Sequence, residues 1–98
     1  MIYRVFLLPS AYNDLEAARD FYNSISLGLG DYCTDTLLSE IDSLVFFAGI
    51  HSRHYGHFRL LSRRFPYAIY YKISGSSAIV TAILDTRQNP ATHINRLA

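Results

Sequence analysis

The side chains best suited to chemistry are four histidines, one cysteine and a set of arginines. His51, His54 and His57 recur at a spacing of three, which on a helix could bring imidazoles together around a metal ion. They lie instead in a polar, glycine-flanked segment with no cysteine and no nearby carboxylate, so we interpret them as loop residues and expect no metal or cofactor. Cys33 lies on an apolar helical stripe with no histidine near it in the chain. This setting favours a buried structural thiol over a nucleophile.

Charge is distributed unevenly along the chain. Residues 1–48 carry two basic and seven acidic side chains, whereas residues 49–98 carry seven basic and one acidic. Eight of the nine basic residues are arginines, whose planar guanidinium suits carboxylate and phosphate groups. Two interpretations stay open: a basic surface for an anionic partner, or two oppositely charged faces that neutralise each other within the fold.

Arginines and aromatic residues are interleaved between Arg59 and Tyr71. One interpretation is a strand hairpin with core aromatics and exposed arginines. The other is a sheet that presents guanidinium groups and tyrosines to a protein partner, since both residue types are enriched at interfaces. Aromatic residues make up 14% of the chain, eight of them tyrosines. A domain of this size cannot bury them all, so we predict an apolar groove that a partner covers.

The first half of the chain predicts one strand and two helices. Ile2 to Leu8 has strand-forming residues and ends at Pro9, and Ser10 is a predicted helix N-cap with Asp14 early in the helix, where its dipole favours negative charge. The first helical stripe consists of Ala11, Leu15, Ala18, Tyr22 and Ile25. After a break at Gly28–Gly30, a second helix is predicted to about Phe47. Its stripe is Leu29, Cys33, Leu37, Ile41, Leu44 and Ala48.

The second half predicts a meander of three strands after a loop over residues 49–56. The strands cover residues 58–63, 67–73 and 78–84, with Val80, Ala82 and Leu84 expected on one face. Residues 85–98 are predicted to leave the sheet, with a turn at Asn89–Pro90. The fold class is α+β in the order βααβββ, with a helical hairpin packed on one face of a small, mainly antiparallel sheet. Solvent, a partner or the tail must cover the other face.

Length and composition limit the remaining possibilities. Ninety-eight residues predict a single domain over residues 1–98. No apolar run approaches the roughly 20 residues that span a bilayer, and Arg4 interrupts any secretion leader. A single cysteine excludes an internal disulfide framework. We therefore expect a cytoplasmic protein without membrane association.

Four segments resemble the ParE branch of the ParE/RelE toxin superfamily, also called plasmid-stabilisation proteins. They occur in the family's order and span nearly the whole chain. The segments are Pro9–Leu15 after the first strand, Phe21–Tyr22 near the end of the first helix, Arg63–Tyr71, and Leu84–Pro90. The resemblance implies a helical hairpin on a small antiparallel sheet, and the role of the toxin in a type II toxin–antitoxin pair.

The resemblance also implies partners and site residues. A ParE-like toxin binds and inhibits a target protein, DNA gyrase, and a cognate antitoxin neutralises it. The toxin would then contact nucleic acid only indirectly, through the antitoxin. Target contacts are expected at Arg59, Arg63, Arg64, Arg87 and Arg96. Antitoxin contacts are expected at Tyr22, Phe46, Phe47 and Tyr70.

Two alternatives stay open: a RelE-like, metal-independent endoribonuclease that cuts messenger RNA on the ribosome, and a non-toxic orphan member of the family. In a nuclease, Arg87 and His93 would be the catalytic residues. The central-strand position where those nucleases place an arginine corresponds to Ala68 here. Loss of that guanidinium removes stabilisation of developing phosphate charge, so we expect a protein without enzymatic activity and without catalytic residues.

Overall fold

A five-stranded sheet in the order β1-β5-β4-β3-β2 forms the centre of the computed structural model, which describes residues 1–98. β5 runs parallel to β1 and antiparallel to β4, and the β2–β3 and β3–β4 pairs are antiparallel. The elements in chain order are β1 (Arg4–Leu7), α1 (Pro9–Ile25), α2 (Leu29–Asp42), α3 (Leu44–Phe47), β2 (Arg53–His54), β3 (His57–Leu61), β4 (Tyr67–Ser74), β5 (Ser77–Asp85) and α4 (Pro90–Leu97). This architecture confirms the predicted α+β class.

The α1–α2 hairpin covers one face of the sheet and encloses the main core of 15 buried residues. The predicted α2 stripe is buried from Cys33 to Ala48, and that of α1 from Ala11 to Ala18. Ile25 was predicted on the same stripe, but it lies exposed in the last turn of α1.

Two glycines allow the hairpin to close tightly. Gly28 has a φ of +88° in the left-handed region, which glycine adopts without the steric cost that other residues incur. Gly30 is buried at the helix crossing, where an added Cβ would lie 2.0 Å from the backbone oxygen of Arg19. The crossing therefore has no room for a side chain at this position.

The second predicted helix is interrupted at Ser43. The Ser43 hydroxyl and backbone N–H both bond to the Glu40 carbonyl oxygen, which ends α2 because a local serine bond competes with the helical ladder. The short helix α3 follows. The predicted 49–56 loop contains the two-residue strand β2.

A β-bulge in β5 overturns the prediction that Val80, Ala82 and Leu84 share one face. Tyr71 pairs with Val80, whereas Tyr70 pairs with Ala82, so Thr81 is an extra residue in the ladder. An extra residue inverts the alternation of side chains. Val80 therefore packs in the hairpin-side core, while Ala82 and Leu84 lie on the opposite face.

Side chains of α1 complete the edge of β5 beyond the end of the shorter strand β1. The Ser10 hydroxyl donates to the Thr81 carbonyl at 2.9 Å, and Asp14 accepts from the Ile83 N–H at 2.9 Å. The predicted roles of both residues are therefore corrected. Leu8 is the N-cap residue of α1, and Asp14 lies beyond the first turn.

The tail covers part of the second sheet face. Residues 90–97 form α4, whose Leu97 packs with a small cluster on β4 and β5 that contains Ala68, Tyr70, Ala82 and Leu84. Asn89 caps α4 by accepting from the Ala91 N–H, a standard N-cap bond. No helix in the structure is both long and apolar enough to cross a membrane.

Candidate functional site

The five arginines predicted to contact a target do not form one continuous basic surface. Arg87 pairs with Asp85 at 2.7 Å, and Arg96 holds both oxygens of Asp14 at 2.8 and 3.0 Å. The guanidinium of Arg64 donates to the hydroxyl of Tyr32. The Arg96–Asp14 pair joins the basic and acidic halves of the chain, whereas Arg87–Asp85 lies within the basic half, so both interpretations of the charge asymmetry stay open.

Arg63 belongs to a loop that α2 fixes in place. The Glu40 carboxylate accepts from the Ser62 hydroxyl at 2.6 Å and from the Arg63 backbone N–H at 3.0 Å. The Arg63 side chain lies exposed with no bonding partner of its own. Arg63 and Arg64 both line the surface beside α2, so they do not point to opposite sheet faces.

Arg59 differs from the other arginines because it lies half-buried on the second sheet face without a counterion. Its Nε is shielded from solvent and has no hydrogen-bond partner. The side chain lines a cavity of about 90 Å³ between β3, β4 and the start of α4. The other lining residues are Tyr55, Tyr70, Thr86, Gln88, Pro90 and His93, none of them acidic.

His93 and Tyr70 form a buried hydrogen-bonded pair at the base of this cavity. His93 Nε2 lies 2.8 Å from the backbone carbonyl oxygen of Asp85, and Nδ1 lies 2.9 Å from the Tyr70 hydroxyl. A carbonyl only accepts, so Nε2 carries the proton and Nδ1 accepts from Tyr70. Burial raises the pKa of the Tyr70 phenol, and the nearby Arg59 guanidinium opposes that shift.

This geometry corrects two predicted site residues. Tyr70 was expected to contact an antitoxin, but its side chain is fully buried beneath the tail helix. His93 was the predicted acid or base of a nuclease, but it is buried with both ring nitrogens engaged. Of the three covers expected for the second face, solvent, a partner or the tail, the structure places the tail helix α4 over Tyr70.

The structure does not bring Arg87 and His93 into one site. The Arg87 guanidinium binds the carboxylate of Asp85, whereas His93 binds the backbone carbonyl of the same residue. Arg87 does not line the Arg59 cavity, although its neighbours Thr86 and Gln88 do. Its side chain remains 59% exposed, so it is available to a partner.

A second candidate surface is apolar and lies beside β3. Phe46 and Phe47 of α3 are 66% and 54% exposed, and Ile50 is 72% exposed. Phe47 and Ile50 line a cavity of about 370 Å³ together with Leu60 and Leu61. We call Phe46, Phe47, Ile50 and Leu61 the α3 patch. Two of the four residues predicted to contact an antitoxin, Phe46 and Phe47, are therefore exposed on α3, and Phe47 lines this cavity.

Tyr22 lies away from the α3 patch in an aromatic cluster. Its half-buried ring packs edge-on against Phe21, Phe65 and Tyr67, with centroids 5.0, 5.1 and 6.4 Å apart. Burial, with a smaller effect of Tyr22, raises the pKa of Tyr67 to about 12. The neighbouring Phe21 is the more exposed ring and lines an open groove of about 460 Å³ between α1, the end of β5 and α4.

Asp14 and Asp85 both line this groove. Each of these carboxylates forms an ion pair with its own arginine, Asp85 with Arg87 and Asp14 with Arg96. The Arg87 side chain, helped by its backbone N–H, lowers the pKa of Asp85 against the effect of burial. The groove is therefore lined by neutralised ion pairs and not by a free carboxylate dyad.

The remaining histidines and Cys33 have separate structural surroundings. His51 bonds to Tyr71, His54 to Ser52, and His57 to the Tyr55 carbonyl oxygen. No three histidine, cysteine or acidic side chains lie close enough together to hold a metal ion. Cys33 is fully buried, and burial raises the pKa of its thiol to about 11, as expected for a structural cysteine.

Comparison with known proteins gives structural matches but no sequence match. No family profile matches the chain, and no curated protein matches it. Among solved structures, it is similar to a chain of "Chromosomal ParDE TA system from P. aeruginosa", with a TM-score of 0.80 and 19% identity. The similarity covers 88% of this chain and 98% of that chain. The fold is that of a chain from a ParDE system.

The ParDE-like fold confirms the architecture that the sequence motifs implied. The Arg59 cavity was not predicted, because its lining comes from three separate segments. One local signal was present in the sequence, since Tyr55-Gly56 between two strand-forming stretches fits a two-residue hairpin turn. Tyr55 indeed has a φ of +56°, a conformation that non-glycine residues rarely adopt.

Proposed function

We propose that this chain is a ParE-family toxin of a type II toxin–antitoxin pair. It acts in the cytoplasm by binding and inhibiting a target protein, DNA gyrase, and a cognate antitoxin neutralises it. The structural similarity to a ParDE toxin–antitoxin chain over 88% of this chain carries the proposal. The four sequence motifs support it independently, because they lie in the matching order on the same fold.

The α3 patch is the antitoxin-binding surface in this proposal. Its aromatic and aliphatic side chains lie on one exposed surface, and exposed apolar clusters of this kind typically mark interaction sites. The adjoining strand β3 adds a second feature. β2 pairs with His57 and Phe58, and the Arg59 N–H bonds to the Ser52 carbonyl, so the outer edge of β3 beyond Arg59, at Leu61, offers backbone groups to an added strand.

Arg87 is the central target-binding residue in this proposal. It lies in the turn between β5 and α4, where its exposed guanidinium extends from the sheet. Arg63 and Arg64 add positive charge at the neighbouring 62–66 loop, which a bond from the Thr86 N–H to the Pro66 carbonyl joins to this turn. Arg96 is reassigned to holding α4 against Asp14.

The hydrogen bonds of His93 favour inhibition by binding over RNA cleavage. General acid–base catalysis needs a group that can exchange a proton with the substrate. Both nitrogens of His93 are engaged inside the protein, and Ala68 is fully buried under the tail. We therefore infer that the chain inhibits its target without an enzymatic step.

Growth inhibition by Arg87 variants tests the target surface. Arg87→Ala should abolish growth arrest on induction and leave the melting temperature nearly unchanged, because exposed ion pairs contribute little to stability. Arg4→Ala is the matched control, since Arg4 is exposed on β1 and makes no side-chain bond. Retained toxicity in folded Arg87→Ala protein would contradict the assignment of this residue.

The mode of action is tested by following DNA and RNA after induction. Inhibition of gyrase predicts that plasmid supercoiling fails first while primer-extension maps of transcripts show no new ends. Codon-positioned cuts that disappear in Arg87→Ala or His93→Ala variants would overturn the non-enzymatic proposal in favour of a RelE-like nuclease. Normal growth, supercoiling and transcripts would identify a non-toxic orphan.

Antitoxin binding is tested with the product of the adjacent upstream reading frame. Phe47→Ser in the α3 patch should weaken that complex by about thirtyfold or more, the typical loss at an aromatic hot spot. Phe21→Ser is the control, because Phe21 is similarly exposed but lies in the α1–β5–α4 groove. Equal affinity losses in the two variants would reject the α3 patch as the binding surface.

A further inference from the structure

We propose that the cavity beside Arg59 binds a single phosphate group. The proposal rests on the geometry of this cavity and not on the toxin assignment, because it concerns a surface distinct from the α3 patch. Its starting point is the charge of Arg59. Arg19, Arg87 and Arg96 each have a carboxylate partner, whereas Arg59 is half-buried and lines a cavity without an acidic residue.

A half-buried guanidinium without a counterion is unfavourable unless an anion compensates it. No carboxylate forms an ion pair with Arg59, and Asp85, at the end of β5, is already bound to Arg87 by two side-chain bonds. The Arg59 Nε is shielded from solvent and has no hydrogen-bond partner, and the guanidinium's polar neighbour within the protein is the neutral phenol of Tyr70. The positive charge is therefore left to an anion that enters the cavity.

The other lining residues supply neutral donors around the same cavity. Thr86, Gln88 and Tyr55 expose a hydroxyl, an amide and a phenol there, and none of the three side chains bonds to another protein group. Phosphate has tetrahedrally arranged acceptor oxygens, two of which can bind the planar guanidinium of arginine. A carboxylate has only two coplanar oxygens and would satisfy fewer of these donors.

Size and backbone conformation further define the site. A volume of about 90 Å³ is well below the roughly 300 Å³ at which pockets for drug-sized molecules begin, so the cavity suits one small anion. Tyr55 holds its ring at the cavity with a φ of +56°. Such conformations are costly and concentrate at ligand-binding positions.

His93 and Tyr70 form the rigid base of the cavity and are positioning residues in this proposal. The Tyr70 hydroxyl donates a hydrogen bond to His93 Nδ1, and His93 Nε2 donates one to the Asp85 carbonyl. This arrangement leaves the oxygen lone pairs of Tyr70 free to face Arg59. The fixed phenol thus restrains the guanidinium and leaves it available to the ligand.

Isothermal titration with inorganic phosphate, at constant ionic strength set by chloride, tests the proposal. We expect saturable one-to-one binding that Arg59→Gln weakens at least tenfold and Arg59→Lys weakens less. Arg63→Gln is the matched control, because Arg63 also lacks a counterion but lies outside the cavity; it should bind as the unmodified chain does. If Arg59→Gln fails to fold by circular dichroism, Gln88→Ala and Thr86→Ala should each weaken binding several-fold.

Parallel titrations with adenosine monophosphate and acetate separate the sources of the anion. Tighter binding of the nucleotide than of free phosphate supports a phosphate site for a phosphomonoester, and weaker binding supports one for free phosphate. Acetate binding as tight as phosphate would overturn the assignment of phosphate. Binding no stronger than that of chloride, or equal losses in Arg59→Gln and Arg63→Gln, would overturn the site itself.

Discussion

The two faces of the sheet each bury a tyrosine whose hydroxyl meets a histidine, yet the two sites differ in their surroundings. On the hairpin face, the Tyr71 hydroxyl accepts from the Gly49 N–H at 2.9 Å and lies 2.6 Å from His51 Nδ1. On the tail face, Tyr70 bonds to His93 beside the unpaired guanidinium of Arg59. Adjacent residues in one strand therefore have different surroundings because they point to opposite faces.

The two faces also differ in the size of their buried clusters and in whether a cavity lies beside them. The hairpin face has 15 buried residues in one cluster, whereas the tail face has five and includes charged and polar groups around a cavity. A large apolar cluster dominates folding stability because burial scales with apolar area. The smaller tail cluster leaves room for a binding site at some cost in stability.

Removal of a core leucine on each face should show the largest contrast. Leu37→Ala should lower the free energy of unfolding by about 4 kcal/mol, because Leu37 is fully buried in the larger cluster. Leu97→Ala should cost about 1 kcal/mol, since Leu97 ends the last helix, where chain termini fray. Urea unfolding of both variants measures the difference; similar losses would show that the two faces are equally important.

Close packing within the hairpin predicts the next effect. Gly30→Ala should destabilise by about 3 kcal/mol, because the new Cβ meets the Arg19 backbone oxygen, which cannot move alone. Gly28→Ala is the control and should cost about 1 kcal/mol, from positive φ alone in open space. Thermal unfolding that ranks Gly28→Ala as the more damaging change would contradict the tight crossing.

The two tyrosines give the most direct comparison of the faces. Tyr71→Phe should cost about 2 kcal/mol, because it removes the acceptor of the Gly49 N–H and the hydrogen-bond partner of His51. Tyr70→Phe should cost about 1 kcal/mol, since it removes one bond, that to His93. Urea midpoints at neutral pH measure both. A larger loss for Tyr70→Phe would place the more important polar network on the tail face.

The smallest expected effect is on stability in acid, and it comes from protonation of Asp85, the last residue of β5. Its folded-state pKa is lowered mainly by Arg87, so its stabilising contribution is complete above the unfolded value of about 3.9. That contribution is lost as pH falls through the lower folded pKa. Unfolding measured from pH 5 to 2 should therefore show a shallower decline in Asp85→Asn. An unchanged slope in this variant would assign acid sensitivity to other carboxylates.

Local sequence patterns predicted the hairpin face well. The apolar residues of α2 recur at helical spacing, and the same residues fill the core from Cys33 to Ala48. The strand predicted over residues 67–73 is present as β4, whose Tyr67, Ile69 and Tyr71 share the hairpin side. These predictions succeeded because the side-chain period of a helix or strand is a local property.

The tail face was predicted poorly because its contacts join residues far apart in sequence. The position of Thr81 as a bulge depends on the pairing of β4 with β5, which no local pattern reveals. The burial of Tyr70 and His93 follows from the docking of α4, held by Leu97 and by the Arg96–Asp14 pair across 82 positions. The amphipathic signal of a helix only eight residues long was too short to recognise.

The sequence by itself determined the α+β class, the order of the main elements, the core stripe of α2 and the resemblance that motivates the toxin proposal. Tertiary structure alone decided which arginines are paired within the fold, and which unpaired arginine lies half-buried beside a cavity without an acidic residue. The physical reason is that periodicity records only which way a side chain points from its own element. The partner it meets depends on which other elements pack there. The pairing of the five arginines predicted to contact a target is therefore unknown until that packing is known.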